Sequence, residues 1–144
     1  MTAEPALELV DTNVLVYLHD GSAGKKQAQA IELVDRLWDE HVGALSIQVC
    51  QEFYVTITRK VPKPLSPAVA RDFLATLAAW HVHRPDIDDV LAATDLQQRY
   101  QVSFWDAMIL RSARALGCST VWSEDLNAGQ SYDGVVVRNP FGGG

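Results

Sequence analysis

The stretch Leu7-Glu8-Leu9-Val10-Asp11-Thr12-Asn13 constrains the fold more than any other part of the chain. A short apolar run, Leu7 to Val10, ends abruptly in an acid, a hydroxyl and an amide, and apolar residues then resume at Val14. Runs of this length are what a buried strand of a parallel sheet presents. In an open parallel sheet, ligands gather just beyond the carboxyl ends of the strands, which is where Asp11 falls. Asp and Thr are also favoured helix caps, and capping alone accounts for Asp11 equally well. The rest of the chain decides between the two.

Asn13 to His19 reads as a short helix closed by Asp20-Gly21-Ser22. Lys25 to His41 carries Ile31, Val34, Leu37 and Trp38 at helical spacing, which predicts one buried face. Val42 to Leu45 reads as a second strand, with Ser46 placed to cap a helix over Ile47 to Lys60 whose Val49, Phe53 and Ile57 form one stripe. Pro62 to Pro64 breaks the chain, and Ser66-Pro67 opens a helix over Ala68 to Trp80 with Val69, Phe73, Leu77 and Trp80 on one side. His81-Val82-His83 alternates as a brief strand; two histidines at this spacing could ligate a metal, but a half-exposed strand yields the same pattern. Asp86 opens a helix to Tyr100 through Val90, Leu91, Thr94 and Leu96, with Asp88 and Asp89 facing its dipole. Ser103 and Asp106 have capping-box spacing for a helix that runs to Leu116 and stops at Gly117, a left-handed cap. Cys118 to Trp122 is the next strand, and Ser123-Glu124-Asp125-Leu126-Asn127 repeats the opening pattern of apolar strand, hydroxyl and acids. A loop through Gly129, Ser131, Asp133 and Gly134 leads to a last strand, Val135 to Arg138. Strands alternating with helices indicate an α/β domain with a mainly parallel sheet, and we expect one domain over residues 1–141 with a glycine tail at 142–144.

At 144 residues, 48% hydrophobic and 21% charged, the chain has the size and composition of one globular domain. No apolar run approaches the ~20 residues that span a bilayer. Glu4 and Glu8 interrupt the start, so a secretory signal is not expected. Cys50 and Cys118, with no Cys-x-x-Cys, read as buried structural thiols of a reducing compartment, and a cytoplasmic location is expected. The net charge of −6 disfavours a protein that coats nucleic acid, but not an enzyme that touches it through metal ions.

Two strand ends deliver Asp11 and Asp125 to one rim of the sheet. Glu52 lies about 60° from Val49 and about 40° from Thr56 around its helix, bordering the buried stripe. A carboxylate there must be paired, hydrogen-bonded or metal-bound; a surface pair with Arg59 or Lys60 is the ordinary alternative. Asp106 sits on the first turn of its helix. Carboxylates gathered together repel one another unless a cation neutralises them. An all-oxygen ligand set selects Mg²⁺ or Mn²⁺, and such a site suits phosphodiester hydrolysis.

Four segments occur in order over nearly the whole chain: Val10-Asp11-Thr12-Asn13, Gln51-Glu52-Phe53, Phe104-Trp105-Asp106-Ala107 and Ser123-Glu124-Asp125-Leu126-Asn127. With these, and with its Asn139-Pro140-Phe141 ending, the chain resembles the PIN-domain ribonucleases, most closely the VapC-type toxins. The resemblance implies a three-layer α/β/α PIN-like fold and a metal-dependent endoribonuclease that leaves a 5′-phosphate and a 3′-hydroxyl. It implies a small antitoxin as partner and a homodimer. Asp11, Glu52, Asp106 and Asp125 would form the acidic metal site, with Asp11 and Asp106 as direct ligands and Asn13 and Ser123 supporting them through hydrogen bonds. The chain departs from many relatives at Asn127, where they carry a further acid; a weaker second metal and a one-metal enzyme would follow. Lys25, Lys26, Arg59, Lys60 and Lys63 are candidates for steering phosphates, although lone surface charges are commonly just solvated. Two competing readings stand beside this one. A phosphotransferase of the haloacid-dehalogenase kind needs a second acid where Asn13 stands, and a non-catalytic PIN-like module would bind RNA or a protein without cleaving it.

Overall fold

Short apolar strands and capped helices alternate along residues 5–142, which the computed structural model describes. In chain order they are β1 (Leu7–Val10), α1 (Thr12–His19), a 3-10 turn (Gly21–Ala23), α2 (Lys25–Glu40), β2 (Gly43–Ser46), α3 (Ile47–Arg59) and α4 (Pro67–Leu77). Then come β3 (His81–His83), α5 (Ile87–Tyr100), α6 (Phe104–Ala115), β4 (Cys118–Trp122), β5 (Ser131–Tyr132) and β6 (Val135–Arg138). Asp11, Ser46, Ser66, Asp86 and Ser103 accept backbone N–H groups at the starts of α1, α3, α4, α5 and α6, so the caps read from sequence set the helix boundaries. The full reciprocal capping box forms at Asp86 and Asp89.

The strands form one sheet in the order β3-β2-β1-β4-β6-β5, parallel except where β5 meets β6. The chain steps outward from β1 to β2 to β3, then returns across the sheet to β4 and β6 on the other side of β1. Right-handed crossovers taken in opposite directions put α1–α4 on one face and α5–α6 on the other, giving the three-layer α/β/α arrangement. The reversal of strand order falls between β1 and β4, and ligands of open α/β sheets bind at the carboxyl ends of the strands at such a switch point. There the backbone N–H of Asp11 donates to the Trp122 carbonyl at 2.9 Å, and that of Ser123 to the Arg138 carbonyl at 2.9 Å. Leu9, Val10, Leu15, Leu45, Phe53 and Ile109 are among the buried side chains beneath it.

Several helix faces differ from the expected ones for one shared reason. Ile31 and Trp38 on α2 are 41% and 42% exposed, and the buried stripe is Ala30, Leu33, Val34 and Leu37. On α4 and α5, Val69 and Leu91 are exposed while Ala70 and Ala93 are buried. Close helix packing selects the small side chain and leaves the large one at the rim, so a pattern read from bulky residues lands one or two positions off. α4 stops at Leu77 rather than Trp80 because Trp80 turns back over β2. A Cβ on Gly43 would stand 2.5 Å from its indole, so glycine is what lets the ring lie there. Cys118 is buried but Cys50 is only half-buried, and both thiols are free. The loop expected before the last strand contains the two-residue strand β5. Asp133 and Gly134, at φ 52° and 92°, turn it into β6 with the twist of an Asp-Gly hairpin. Among the described residues no helix is long and apolar enough to cross a membrane.

Candidate active site

Asp11 leaves β1 just as α1 begins, and it is buried to 6% exposure. Its Oδ1 accepts the Thr12 N–H at 2.7 Å and its Oδ2 accepts the Ser123 hydroxyl at 2.7 Å. Burial pushes its carboxyl up to about 6; the Ser123 and Thr12 hydrogen bonds oppose that rise, and the charges of Asp125 and Glu52 add to it. Asp11 is therefore at once the cap of α1 and a buried carboxylate.

Glu52 reaches the rim from α3. Its partners are not Arg59 or Lys60 but two neutral donors: the Thr12 hydroxyl to Oε2 at 2.8 Å and the Gln48 amide to Oε1 at 3.0 Å. The same Gln48 nitrogen donates to the Trp105 carbonyl at 3.3 Å, tying α3 to the first turn of α6. That turn carries Asp106, half-buried, whose N–H is held by Ser103 Oγ at 3.1 Å. Burial raises the Asp106 carboxyl as well, against the Ser103 hydroxyl, and Asp125 and Glu52 push it the same way. Asp125, exposed in the turn after β4, accepts the Asn13 amide at 3.1 Å. Ser123 Oγ accepts the N–H groups of Asp125 and Leu126 at 3.1 and 3.4 Å while donating to Asp11, so a single hydroxyl shapes both the acid and the turn.

All four acids thus share one electrostatic neighbourhood, because Asp125 and Glu52 act on both Asp11 and Asp106. Among the described residues, no three His, Cys, Asp or Glu side chains stand at the spacing of a preformed metal cage. Mutually repelling oxygen donors of this kind fit a hard divalent cation, and nothing in the set recruits a soft one. Asn13 and Ser123 hydrogen-bond Asp125 and Asp11 respectively. Asn127, exposed in the turn, hydrogen-bonds Gln130 at 3.4 Å.

Sequence reasoning missed Thr12, Gln48, Tyr17 and Glu124. Gln48 is one helical turn before Glu52 on the same face, a spacing that could have identified it. Tyr17 and Lys26 both donate to the Glu124 carboxylate, and the Lys26 ammonium lies 5.0 Å from the Tyr17 ring centroid. Lys26 is therefore engaged in an ion pair that braces the turn next to Asp125, whereas Lys25, Arg59, Lys60 and Lys63 are exposed. His83 is no half of a metal pair: its ring nitrogens face Ser112 Oγ at 2.8 Å and Asp89 at 3.3 Å.

The sequence profile of the PIN domain matches residues 9–130. The structure is similar to a toxin-antitoxin complex from Klebsiella pneumoniae, with a TM-score of 0.67 at 18% identity, over 93% of this chain and 98% of that one. It is similar to Mycobacterium tuberculosis VapC20, a sarcin-ricin-loop-cleaving toxin, at TM-score 0.63 and 21% identity over 82% and 89% of the two chains. VapBC2 from Rickettsia felis, solved with a DNA fragment from its promoter, gives 0.65 at 16% identity over 92% and 98%. At these identities the likeness is one of fold. No curated protein matches the chain.

Proposed function

The chain belongs to the PIN domain family, and on that premise we propose that it is a divalent-metal-dependent endoribonuclease of the VapC type, the toxin of a toxin-antitoxin pair. One observation carries the reading. Asp11, Glu52, Asp106 and Asp125 come from four separate elements, yet burial raises the carboxyls of Asp11 and Asp106 and the charges of Asp125 and Glu52 push both further up. Asp11 and Asp106 would hold Mg²⁺ or Mn²⁺, with Glu52 and Asp125 completing the acidic set. When bound, such an ion activates water and polarises the phosphate. The chain's own residues supply the positioning: Ser123 fixes the Asp11 carboxylate, Thr12 and Gln48 fix Glu52, and Asn13 fixes Asp125. A 5′-phosphate and a 3′-hydroxyl are the expected ends.

The VapBC assemblies of similar fold support an antitoxin as partner, and a homodimer is the expected assembly. The two free cysteines suit work in the cytoplasm. The test is cleavage of a mixed RNA pool by purified protein with Mg²⁺, with Mn²⁺ and with EDTA, beside Asp106→Ala. Metal-dependent cleavage lost in the variant supports the nuclease. RNA bound equally in EDTA, with no cleavage in any metal, replaces it with a binding module.

A further inference from the structure

We infer that Trp105 is a stacking platform for one nucleobase of single-stranded RNA, next to the bond that is cut. The inference rests on the nuclease reading above. Trp105 is 62% exposed, the most exposed large aromatic among the described residues, and it immediately precedes Asp106. Its backbone is pinned rather than loose, since its carbonyl accepts from Gln48, which also holds Glu52. Its ring and that of Phe104 form a T-shaped pair at 5.2 Å and 73°, and Phe104 is packed against the core. The indole is thus largely exposed on the first turn of α6, one residue before Asp106, on a backbone that shares its Gln48 partner with Glu52.

Charge explains why such a face is needed. A chain of net charge −6 whose site is built from carboxylates repels a polyanion. Lys26, the base braced beside the site, is already engaged by Glu124. Contacts that do not depend on charge add affinity that this repulsion does not reduce. Every nucleobase has a π-face, and stacking on an aromatic side chain supplies that contact without reading sequence. An unpaired base can stack; one inside a helix cannot, so the platform also favours single strands and loops.

The test measures kcat and KM on a short fluorescent single-stranded RNA for the unmodified protein, Trp105→Ala, Trp105→Phe and Trp105→Leu. Melting curves and sedimentation of each run alongside. Trp105→Ala is expected to raise KM about five- to a hundredfold with kcat within about twofold, Phe to recover most of the loss and Leu little of it. Abasic nucleotides placed one at a time should reveal one position that weakens the unmodified protein as much as Trp105→Ala does, and adds nothing to that variant. An unchanged KM, Leu serving as well as Phe, or abasic effects identical in both proteins would overturn the inference. So would a KM change fully explained by a shift in oligomeric state. If no metal supports cleavage, the nuclease reading fails separately. Anisotropy of the same RNA in EDTA then decides on the platform, retained if Trp105→Ala weakens binding and rejected if it does not.

Discussion

Replacing Asp11 by Asn measures how far the site is maintained at the expense of the fold. Asp11 is 6% exposed and its carboxyl is lifted from 3.8 to about 6, chiefly by burial. Each pKa unit is worth about 1.4 kcal/mol, so a charged Asp11 destabilises the metal-free fold by about 3 kcal/mol. Because the folded-state pKa is the raised one, the penalty is absent below about 3.8, where the carboxyl is protonated folded or unfolded. It grows between 3.8 and 6 and is complete above 6. Asn removes the charge but puts an N–H₂ where one oxygen accepted, returning about 1 kcal/mol unless Ser123 Oγ turns to accept it. Asp11→Asn should therefore be about 2 kcal/mol more stable than the unmodified protein at pH 7.5 in EDTA, several degrees in Tm. That gap should close as the pH falls to 4. Mn²⁺ should raise the Tm of the unmodified protein and leave the variant nearly unmoved. A variant no more stable at pH 7.5, or a gap that stays constant down to pH 4, would refute the argument that burial of this charge is what strains the site.

Thr12→Val removes the hydroxyl that holds Glu52 while keeping the side chain's shape; metal affinity read by calorimetry should drop about tenfold, with Tm changed by only a few degrees. Gly43→Ala drives a methyl into the Trp80 indole and should cost about 1–3 kcal/mol in urea unfolding, with activity per folded molecule retained. Asp89→Ala leaves the half-buried Arg111 without its 2.8 Å partner and should cost about 3 kcal/mol at pH 7. The Asp86 backbone N–H, Arg111 and His83 hold the Asp89 carboxyl below its ordinary value, so its contribution is present above pH 4 and fades as acid protonates it; the variant's deficit should shrink accordingly.

Much of this was legible because strand ends and helix caps are local. Asp11, Ser46, Ser66, Asp86 and Ser103 announce their helices in a handful of residues each, and their caps form. The repeated motif of apolar strand followed by hydroxyl and acid at Asp11 and Ser123 was legible for the same reason. What sequence concealed is the depth at which helices pack. Ala30, Ala70 and Ala93 carry little hydrophobic signal, yet they take buried positions within two residues of exposed Ile31, Val69 and Leu91. Glu52 shows the same limit at the site. Its angle on α3 marked it as bordering the core, but its partner Thr12 is 40 residues away on another element, and no periodicity within α3 points there.

The tripeptide Asp11-Thr12-Asn13 holds the site together in a way that its composition does not reveal. Asp11 contributes the buried carboxylate. Thr12 and Asn13 follow at the first two positions of α1, where consecutive side chains point about 100° apart. That divergence lets Thr12 reach Glu52 on α3 while Asn13 reaches Asp125 in the turn after β4. Neutral donors in these places satisfy one lone pair on each acid without neutralising its charge, leaving further lone pairs to a cation. A Lys or Arg at either position would hold the acids more tightly in the metal-free protein and compete with the ion for the same oxygens. The hydroxyl and amide thus orient the carboxylates and leave lone pairs on them open to a cation.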